Sequence, residues 1–442
     1  MPTLTGLLFL LSGLQCLRKS DQYLFGLLIL SALFQAASAI NFGSTGIPPY
    51  YIVACLFIYS QVRRKHFNLA RFRASGRYAL FAFGWIGVMS ALVYPFIFAG
   101  ILVYAPHLGL DEGFSYQDPL HFSSSNLAQC AYLAINIFVV ISAASMKSAE
   151  MVRSLYNANF VFLIGIIFLQ YVCLLVGIEF PYSIFQNNPG AAMQSTTLGG
   201  DFQRLTGTFS ESSAAGSALV LFYAGSLYEY ILGRASLLPV AACSLAIILV
   251  KSSSGMLAAV IISIVILITY PPFHLGKSLI LHRSRLLRLT WILVAASLIA
   301  FSPLIAGLEA FTTGKSETLS YVHRLAADAF SLRLTEETFG IGVGLGSNRP
   351  SSLLTSLLSN VGVLGTILFL SMCVLLAKNA KGTNLWIRWS LVAILLALCS
   401  GGPNINEPLL WLLLAMAVLP TSPSTITSLN SFQVPSPIPQ TL

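Results

Sequence analysis

Apolar stretches of roughly 17 to 25 residues recur along the whole chain, separated by polar breaks, and this length is what a helix needs to cross the hydrocarbon core of a bilayer. Only 9% of the 442 residues are charged. In a typical soluble domain, about a quarter of the residues are charged. The sequence therefore excludes an ordinary soluble domain and predicts an all-α, polytopic integral membrane protein with about 12 to 13 transmembrane helices.

The apolar runs also give the order of the predicted spans. They centre near residues 11, 31, 54, 91, 136, 168, 221, 243, 263, 299, 364, 395 and 414. If the N-terminus lies outside, most of the 24 Lys and Arg residues fall on the inner side, as the positive-inside rule requires. The net charge of +9 is therefore interpreted as a topology signal, and no nucleic-acid partner is expected.

The long polar breaks define the predicted organisation of the chain. Residues 1–420 are expected to form a single transmembrane domain, with outer loops at 106–126, 179–211 and 309–350. Long loops over a buried scaffold are where binding and chemistry concentrate. Residues 421–442 are rich in Ser, Pro and Thr and carry no charge, so we predict a disordered inner tail.

The second outer loop ends in Arg204–Ser213, which leads directly into an apolar span. Ser210 or Glu211 is expected to cap that helix, so that its N-terminus presents unpaired N–H groups and a partial positive charge to the outside. Arg204 would complete an anion site there. The alternative is a structural role, in which Arg204 pairs with Asp201 or Glu211.

The third outer loop contains a predicted short helix from Leu319 to Phe330 and then the glycine-rich segment Gly340–Ser352. The glycines would let backbone N–H groups approach a ligand, and Ser351 and Ser352 would cap the next span. Arginine suits phosphate or pyrophosphate because it stays charged and presents paired donors. The candidate residues of this loop are His323, Arg324, Asp328, Arg333, Gly344, Ser347 and Arg349.

Lys251 lies in a very short outer turn between two spans. A cation so close to hydrocarbon is costly unless it is paired or faces a cavity, which makes it a binding candidate. The alternative for Lys251 and for Arg349 is snorkelling toward lipid headgroups. Together, the outer cations suit a ligand with an anionic part at the interface and an apolar tail in the bilayer, such as a lipid pyrophosphate.

Three segments resemble the superfamily of bacterial O-antigen polymerases and O-antigen ligases: Arg204–Ser213, Lys251–Gly255 and Gly340–Gly365. The first carries the order Arg-x-x-Gly-Thr-Phe-x-Glu before a mid-chain helix. The third carries Gly-x-Gly-x-Gly-Ser-x-Arg-x-Ser-Ser, from Gly342 to Ser352, after a late outer loop. The likeness covers about half of the chain. The assignment of the N-terminal third rests on hydropathy alone.

The resemblance implies a GT-C-like glycosyltransferase of the bacterial inner membrane that uses an undecaprenyl-pyrophosphate-linked glycan on the periplasmic face, without metal or cofactor. It implies that Arg204, Arg324 and Arg349 hold pyrophosphate. His323 is the one candidate for the late-loop base of the ligases, and Glu211 or Asp328 could serve instead. The partners that the resemblance implies are the lipid-linked oligosaccharide, membrane lipid, a chain-length regulator and a flippase.

Within this resemblance, a polymerase that joins repeat units is favoured over a ligase that hands finished chains to lipid A core or another acceptor. A flippase or secondary transporter could have as many spans, but it would place ionisable residues or broken helices near the midplane. Here the spans are nearly free of charge, and Pro95 and Pro303 are the only expected interruptions. Both are interpreted as kinks. A scaffold protein is the remaining alternative.

Overall fold

The computed structural model describes residues 1–43, 45–64, 74–104, 117–189, 204–270 and 319–420. These residues are mostly helical, as predicted, with little sheet. The predicted span near residue 299, the proline at position 303, Asp201 and the tail 421–442 lie outside the described residues, as do parts of all three outer loops.

The element bounds follow in chain order. The helices are α1 (Leu4–Lys19), α2 (Asp21–Ala32), α3 (Pro49–Arg63), α4 (Ala74–Ile97), α5 (Ser124–Ser145), α6 (Val152–Val176), α7 (Tyr182–Phe185), α8 (Ser212–Ile231), α9 (Leu238–Val250), α10 (Ser253–Thr269), α11 (Leu319–Glu337), α12 (Leu353–Ala377), α13 (Trp386–Gly401) and α14 (Pro408–Ala417). The strands are β1 (Ile40–Phe42), β2 (Thr45–Ile47), β3 (Leu102–Tyr104) and β4 (Gln117–Pro119). Apart from the span near residue 299, every predicted span centre lies within one of these helices.

Five helices in the described ranges are long and apolar enough to cross a membrane, which indicates a membrane protein. They are Gly76–Ile97, Ser124–Ser145, Val152–Val176, Leu353–Ala377 and Gly382–Gly401. Other apolar helices are shorter. For example, α2 has 12 residues and α14 has 10. A full crossing takes about 20 residues, so the described helices include fewer full-length spans than the prediction of 12 to 13.

One end of the bundle, the salt-bridge end, is held by ion pairs between arginines and buried acids. Arg64 pairs with Asp21 at 3.1 Å, and Glu229 pairs with Arg153 at 2.6 Å and Arg234 at 3.8 Å. These pairs join the ends of α2, α3, α6 and α8. All three arginines were predicted to lie on the same inner side, and the structure places them together.

The opposite end, the loop end, gathers the connections that were predicted to lie outside. Asn187 accepts a hydrogen bond from the Ser38 N–H at 2.8 Å, and Thr208 donates to the Leu33 carbonyl. Two small antiparallel sheets, β1 with β2 and β3 with β4, also lie among these connections. The prediction of an all-α fold missed them, because strands of three residues carry no periodic signal.

A close approach of two glycines places the turn that holds Lys251 beside the start of α8. A Cβ atom on Gly255 would lie 3.0 Å from the Cα atom of Gly216, so this packing needs a glycine there. Ser252 caps α10 by accepting a hydrogen bond from the Gly255 N–H at 3.2 Å. The α9–α10 turn and the segment that precedes α8 therefore form adjacent parts of the loop end.

Helix α12 is interrupted at Gly362, whose φ of 74° and ψ of −177° are not helical. The glycine-rich segment fills the interruption: Val343 N–H donates to the Ser359 carbonyl at 2.8 Å, and Val363 N–H donates to the Gly340 carbonyl at 2.8 Å. Pro95, the predicted kink, lies inside helix α4. The sequence did not indicate the break at Gly362.

Candidate functional site

Four basic residues that the sequence singled out meet at the loop end. We call Arg204, Lys251, Arg324 and Arg349 the cation cluster. Burial, followed by the positive charge of Arg324, lowers the pKa of Arg204. Burial and then the charge of Arg204 lower the pKa of Lys251. Arg204 therefore lies close enough to repel both Arg324 and Lys251, and an anion bound beside it would relieve that repulsion.

Arg349 joins the cluster through Glu211, the residue that precedes α8. Burial lowers the pKa of Arg349, and the negative charge of Glu211 partly offsets this effect. As predicted, Glu211 occupies the N-cap position of α8, but its side chain caps no backbone N–H. Instead Glu211 Oε2 accepts a hydrogen bond from Ser213 Oγ at 2.9 Å. The carboxylate of Glu211 thus lies close to Arg349.

The segment that carries Arg204 is held by two amide side chains, Gln170 and Gln186. Gln170 Oε1 in α6 accepts hydrogen bonds from the N–H groups of Thr206 at 3.0 Å and Gly207 at 2.8 Å. Gly207 has a φ of 59°, the left-handed conformation that favours glycine. Gln186 Nε2 adds a bond to Thr206 Oγ1 at 2.9 Å. The Gly-Thr part of the motif therefore positions Arg204 and is not itself a binding surface.

Helix α11 supplies Arg324 and confirms the helix predicted from Leu319, although the helix extends seven residues beyond Phe330 to Glu337. A Cβ atom on Gly401, at the end of α13, would lie 3.4 Å from Arg324 Nη1 and 3.5 Å from the Ser254 side chain. Gly401 and Ser254 thus lie next to the guanidinium group of Arg324. Sequence reasoning missed Gly401, although the glycine pair that ends this span was a visible signal.

Two other candidates on α11 differ in their positions. His323, adjacent to Arg324, is half-buried. Arg333 is exposed. It follows Arg324 by nine residues, which at about 100° per residue places it on the opposite face of the helix. The structure therefore does not bring Arg333 to the cation cluster.

The carboxylate of Asp328 has four structural donors. Oδ1 accepts from Ser351 N–H at 2.9 Å, from Ser352 N–H at 3.3 Å and from Thr355 Oγ1 at 2.7 Å, and Oδ2 accepts from Ser351 Oγ at 2.7 Å. Ser352 is the N-cap of α12, as predicted. The hydrogen bonds of Asp328 thus connect α11 to the first turn of α12. These are structural contacts, whereas a general base would face the substrate.

The glycine-rich segment also differs from its expected role. The Gly344 N–H donates to the Asn360 carbonyl at 2.9 Å, and the Ser347 N–H faces Asn360 Oδ1 at 3.3 Å. Ser347 Oγ accepts from Asn126 Nδ2 at 2.8 Å. A Cβ atom on Gly344 would lie 2.7 Å from the Ser90 carbonyl oxygen. Gly344 therefore allows backbone to pack on backbone, and the N–H groups of Gly344 and Ser347 are directed to Asn360.

Among the residues that the structure describes, no salt bridge reaches the centre of the cluster. Neither Arg204 nor Arg324 forms a salt bridge with any acid in the described part of the chain. Across the same residues, no group of three or more His, Cys, Asp or Glu could hold a metal ion. Neither a protein-family model nor a curated protein matches the chain. The function is therefore inferred from what four converging cations can bind.

Glu407 is a buried acid of the loop end that sequence reasoning missed. It precedes α14 and accepts a hydrogen bond from the Gln35 side chain, with Tyr50 and Tyr51 close by. Burial raises the pKa of Glu407 from its ordinary value of 4.5 to about 7. No motif marked this residue, because its environment is created by segments distant in sequence, those that hold Gln35 and Tyr50.

We expect the stability of the protein to fall between pH 5 and pH 8 because of Glu407. Its raised pKa means that the folded state holds a proton that the unfolded state releases near 4.5, so the stabilisation is complete below that pH and is lost as pH rises through about 7. The complete loss amounts to about 3 kcal/mol. Glu407→Gln keeps the acceptor for Gln35 and removes the proton, so the variant should be the more stable protein at pH 8.

Thermal unfolding of wild type and Glu407→Gln in detergent at pH 5, 6, 7 and 8 measures this effect. The difference between the two unfolding temperatures isolates Glu407 from other titrating groups. A difference that stays constant over this pH range would contradict the assignment.

Proposed function

We propose that the chain spans the bacterial inner membrane many times, with the loop end on the periplasmic side. Two observations support the proposal: the five long apolar helices, and large apolar side chains exposed along the sides of α4, α6, α10 and α12. Examples are Trp85, Val161, Ile268 and Leu364. Such surfaces are stable against lipid tails. The basic residues of the salt-bridge end then lie on the cytoplasmic side, in agreement with the positive-inside rule.

We propose further that the cation cluster binds the pyrophosphate of a lipid-linked glycan. The observation that carries this proposal is the convergence of Lys251 and Arg324 on Arg204, while neither Arg204 nor Arg324 forms a salt bridge with a described acid. Arginine and lysine bind phosphoryl oxygens through charge-assisted hydrogen bonds. A lipid pyrophosphate provides the matching charge at this depth and an apolar tail for the adjoining helices.

In the proposed reaction, a hydroxyl oxygen of an acceptor glycan attacks the anomeric carbon of the donor. The bond between that carbon and the pyrophosphate oxygen breaks, and the oxygen keeps the electron pair. The guanidinium groups of Arg204 and Arg324 stabilise the negative charge that develops there. The hydroxyl proton passes to a carboxylate, for which Glu211 is placed beside Arg349, or to water.

The favoured activity is a polysaccharide polymerase that joins undecaprenyl-pyrophosphate-linked repeat units. The support for a polymerase is the resemblance of Gly342–Ser352, and a ligase remains the alternative within the same chemistry. One observation favours a transporter: helix α12 is interrupted, and broken helices are common in transporters. The interruption at Gly362 is filled by the chain's own backbone, however, which favours a rigid packing role.

The chain length of undecaprenyl-linked glycans distinguishes these functions. We expect a null strain to accumulate single lipid-linked repeat units, which the wild-type gene clears and the Arg204→Ala variant does not. Arg333→Ala is the matched control and should restore the wild-type pool, because Arg333 faces away from the cluster. Long unattached lipid-linked chains would indicate a ligase, and an unchanged lipid-linked pool would refute the glycosyltransferase proposal.

A further inference from the structure

The carboxylate of Asp328 joins the two chain segments that carry Arg324 and Arg349. Asp328 follows Arg324 by four residues, one turn of α11, so the two side chains share a face of that helix. Its four hydrogen bonds all go to Ser351, Ser352 and Thr355, which begin two residues after Arg349.

The surrounding contacts make this joint rigid. Ser351 Oγ also reaches the Arg324 carbonyl at 3.4 Å, which adds a contact directly at the arginine. On the other side, the Arg349 N–H donates to the Tyr104 carbonyl at 3.2 Å. A carboxylate at a helix N-terminus is further stabilised by the helix dipole, here that of α12. The backbone positions of Arg324 and Arg349 are thus fixed relative to each other.

We infer that Asp328 is a positioning residue that sets the separation of the Arg324 and Arg349 guanidinium groups and so makes the cluster selective for pyrophosphate over monophosphate. The inference rests on the proposed function of the cluster. A pyrophosphate has two phosphoryl groups and gains from both arginines only when their separation matches it. A monophosphate is held by either arginine alone, so it is less sensitive to their separation.

The same contacts distinguish positioning from proton transfer. In Asp328→Asn, the amide oxygen still accepts the three bonds made to Oδ1, and the amide nitrogen donates to Ser351 Oγ. That variant therefore keeps the joint but lacks a basic carboxylate. Asp328→Ala loses both the hydrogen bonds and the carboxylate. If Asp328 is a positioning residue, the asparagine variant should keep the binding that the alanine variant loses, whereas a base would be lost in both variants.

The test is isothermal titration of the full-length protein in neutral-lipid nanodiscs with inorganic pyrophosphate and, separately, inorganic phosphate. We expect Asp328→Ala to weaken pyrophosphate binding about tenfold and phosphate binding less than about twofold. Asp328→Asn should stay within about threefold of wild type for both anions. Glu336→Ala, an exposed acid on the same helix, is the matched control and should change neither affinity.

Equal losses of pyrophosphate affinity in Asp328→Asn and Asp328→Ala would overturn the inference, because the negative charge itself would then be required. An unchanged ratio of the two affinities in Asp328→Ala would also overturn it. If Asp328→Ala does not fold, Ser351→Ala removes one of the four bonds and should weaken pyrophosphate binding about threefold, and no change would overturn the inference. A wild-type protein that binds neither anion would instead refute the proposed function, and the inference with it.

Discussion

Gly362→Ala should destabilise the protein by at least about 4 kcal/mol, and we expect little folded protein to be recovered. Gly362 has a φ of 74° and a ψ of −177°, a region that is essentially restricted to glycine. A Cβ atom there would also overlap the carbonyl oxygens of Gly340 and Ile341. Since the glycine-rich segment contains Arg349, any rearrangement would also disturb the cation cluster.

Gly165→Ala is the matched control, because Gly165 lies within α6 and a Cβ atom there would meet nothing within 4 Å. Alanine is the better helix former, so this variant should equal or slightly exceed wild type in stability. Both variants are compared by the yield of monodisperse protein in detergent and by unfolding temperature. If Gly362→Ala unfolds within about 2 °C of wild type, the packing of the glycine-rich segment against the interruption of α12 does not require glycine at this position.

The sequence predicted the helices well, because an apolar run of sufficient length carries its own signal. It also selected the four basic residues of the cation cluster, for a physical reason. Charged residues are expensive beside hydrocarbon, so the few that lie at the outer ends of spans stand out. The convergence of Arg204, Lys251 and Arg324 could not be predicted, since it depends on how α8, α10 and α11 pack.

The roles of the motif residues were harder to predict than their positions. A glycine that approaches a ligand and a glycine that approaches another backbone look the same in sequence, and Gly344 proves to be the second kind. Similarly, Asp328 resembles a candidate base until its four donors are known. Glu407 was missed altogether, because its burial depends on contacts with distant segments such as the one that holds Gln35.

Replacing Arg204 and Arg324 together by alanine should reduce the affinity for pyrophosphate at least about a hundredfold. A hydrogen bond to a charged group contributes about 1.5 to 3 kcal/mol, and 1.4 kcal/mol corresponds to a factor of ten in affinity. Because the two cations repel each other in the free protein, the double variant should be at least as stable as wild type. Arg333→Ala, which removes a cation from the opposite face of α11, should bind as wild type does.

The most direct test of the account is titration of wild type and the Arg204→Ala/Arg324→Ala variant, in neutral-lipid nanodiscs, with farnesyl pyrophosphate and inorganic pyrophosphate. We predict that wild type binds the prenyl compound more tightly, because its tail meets the apolar helices, and that the double variant binds both compounds at least about a hundredfold more weakly. Equal affinities of wild type and the double variant for these compounds would show that the cation cluster is not a pyrophosphate site.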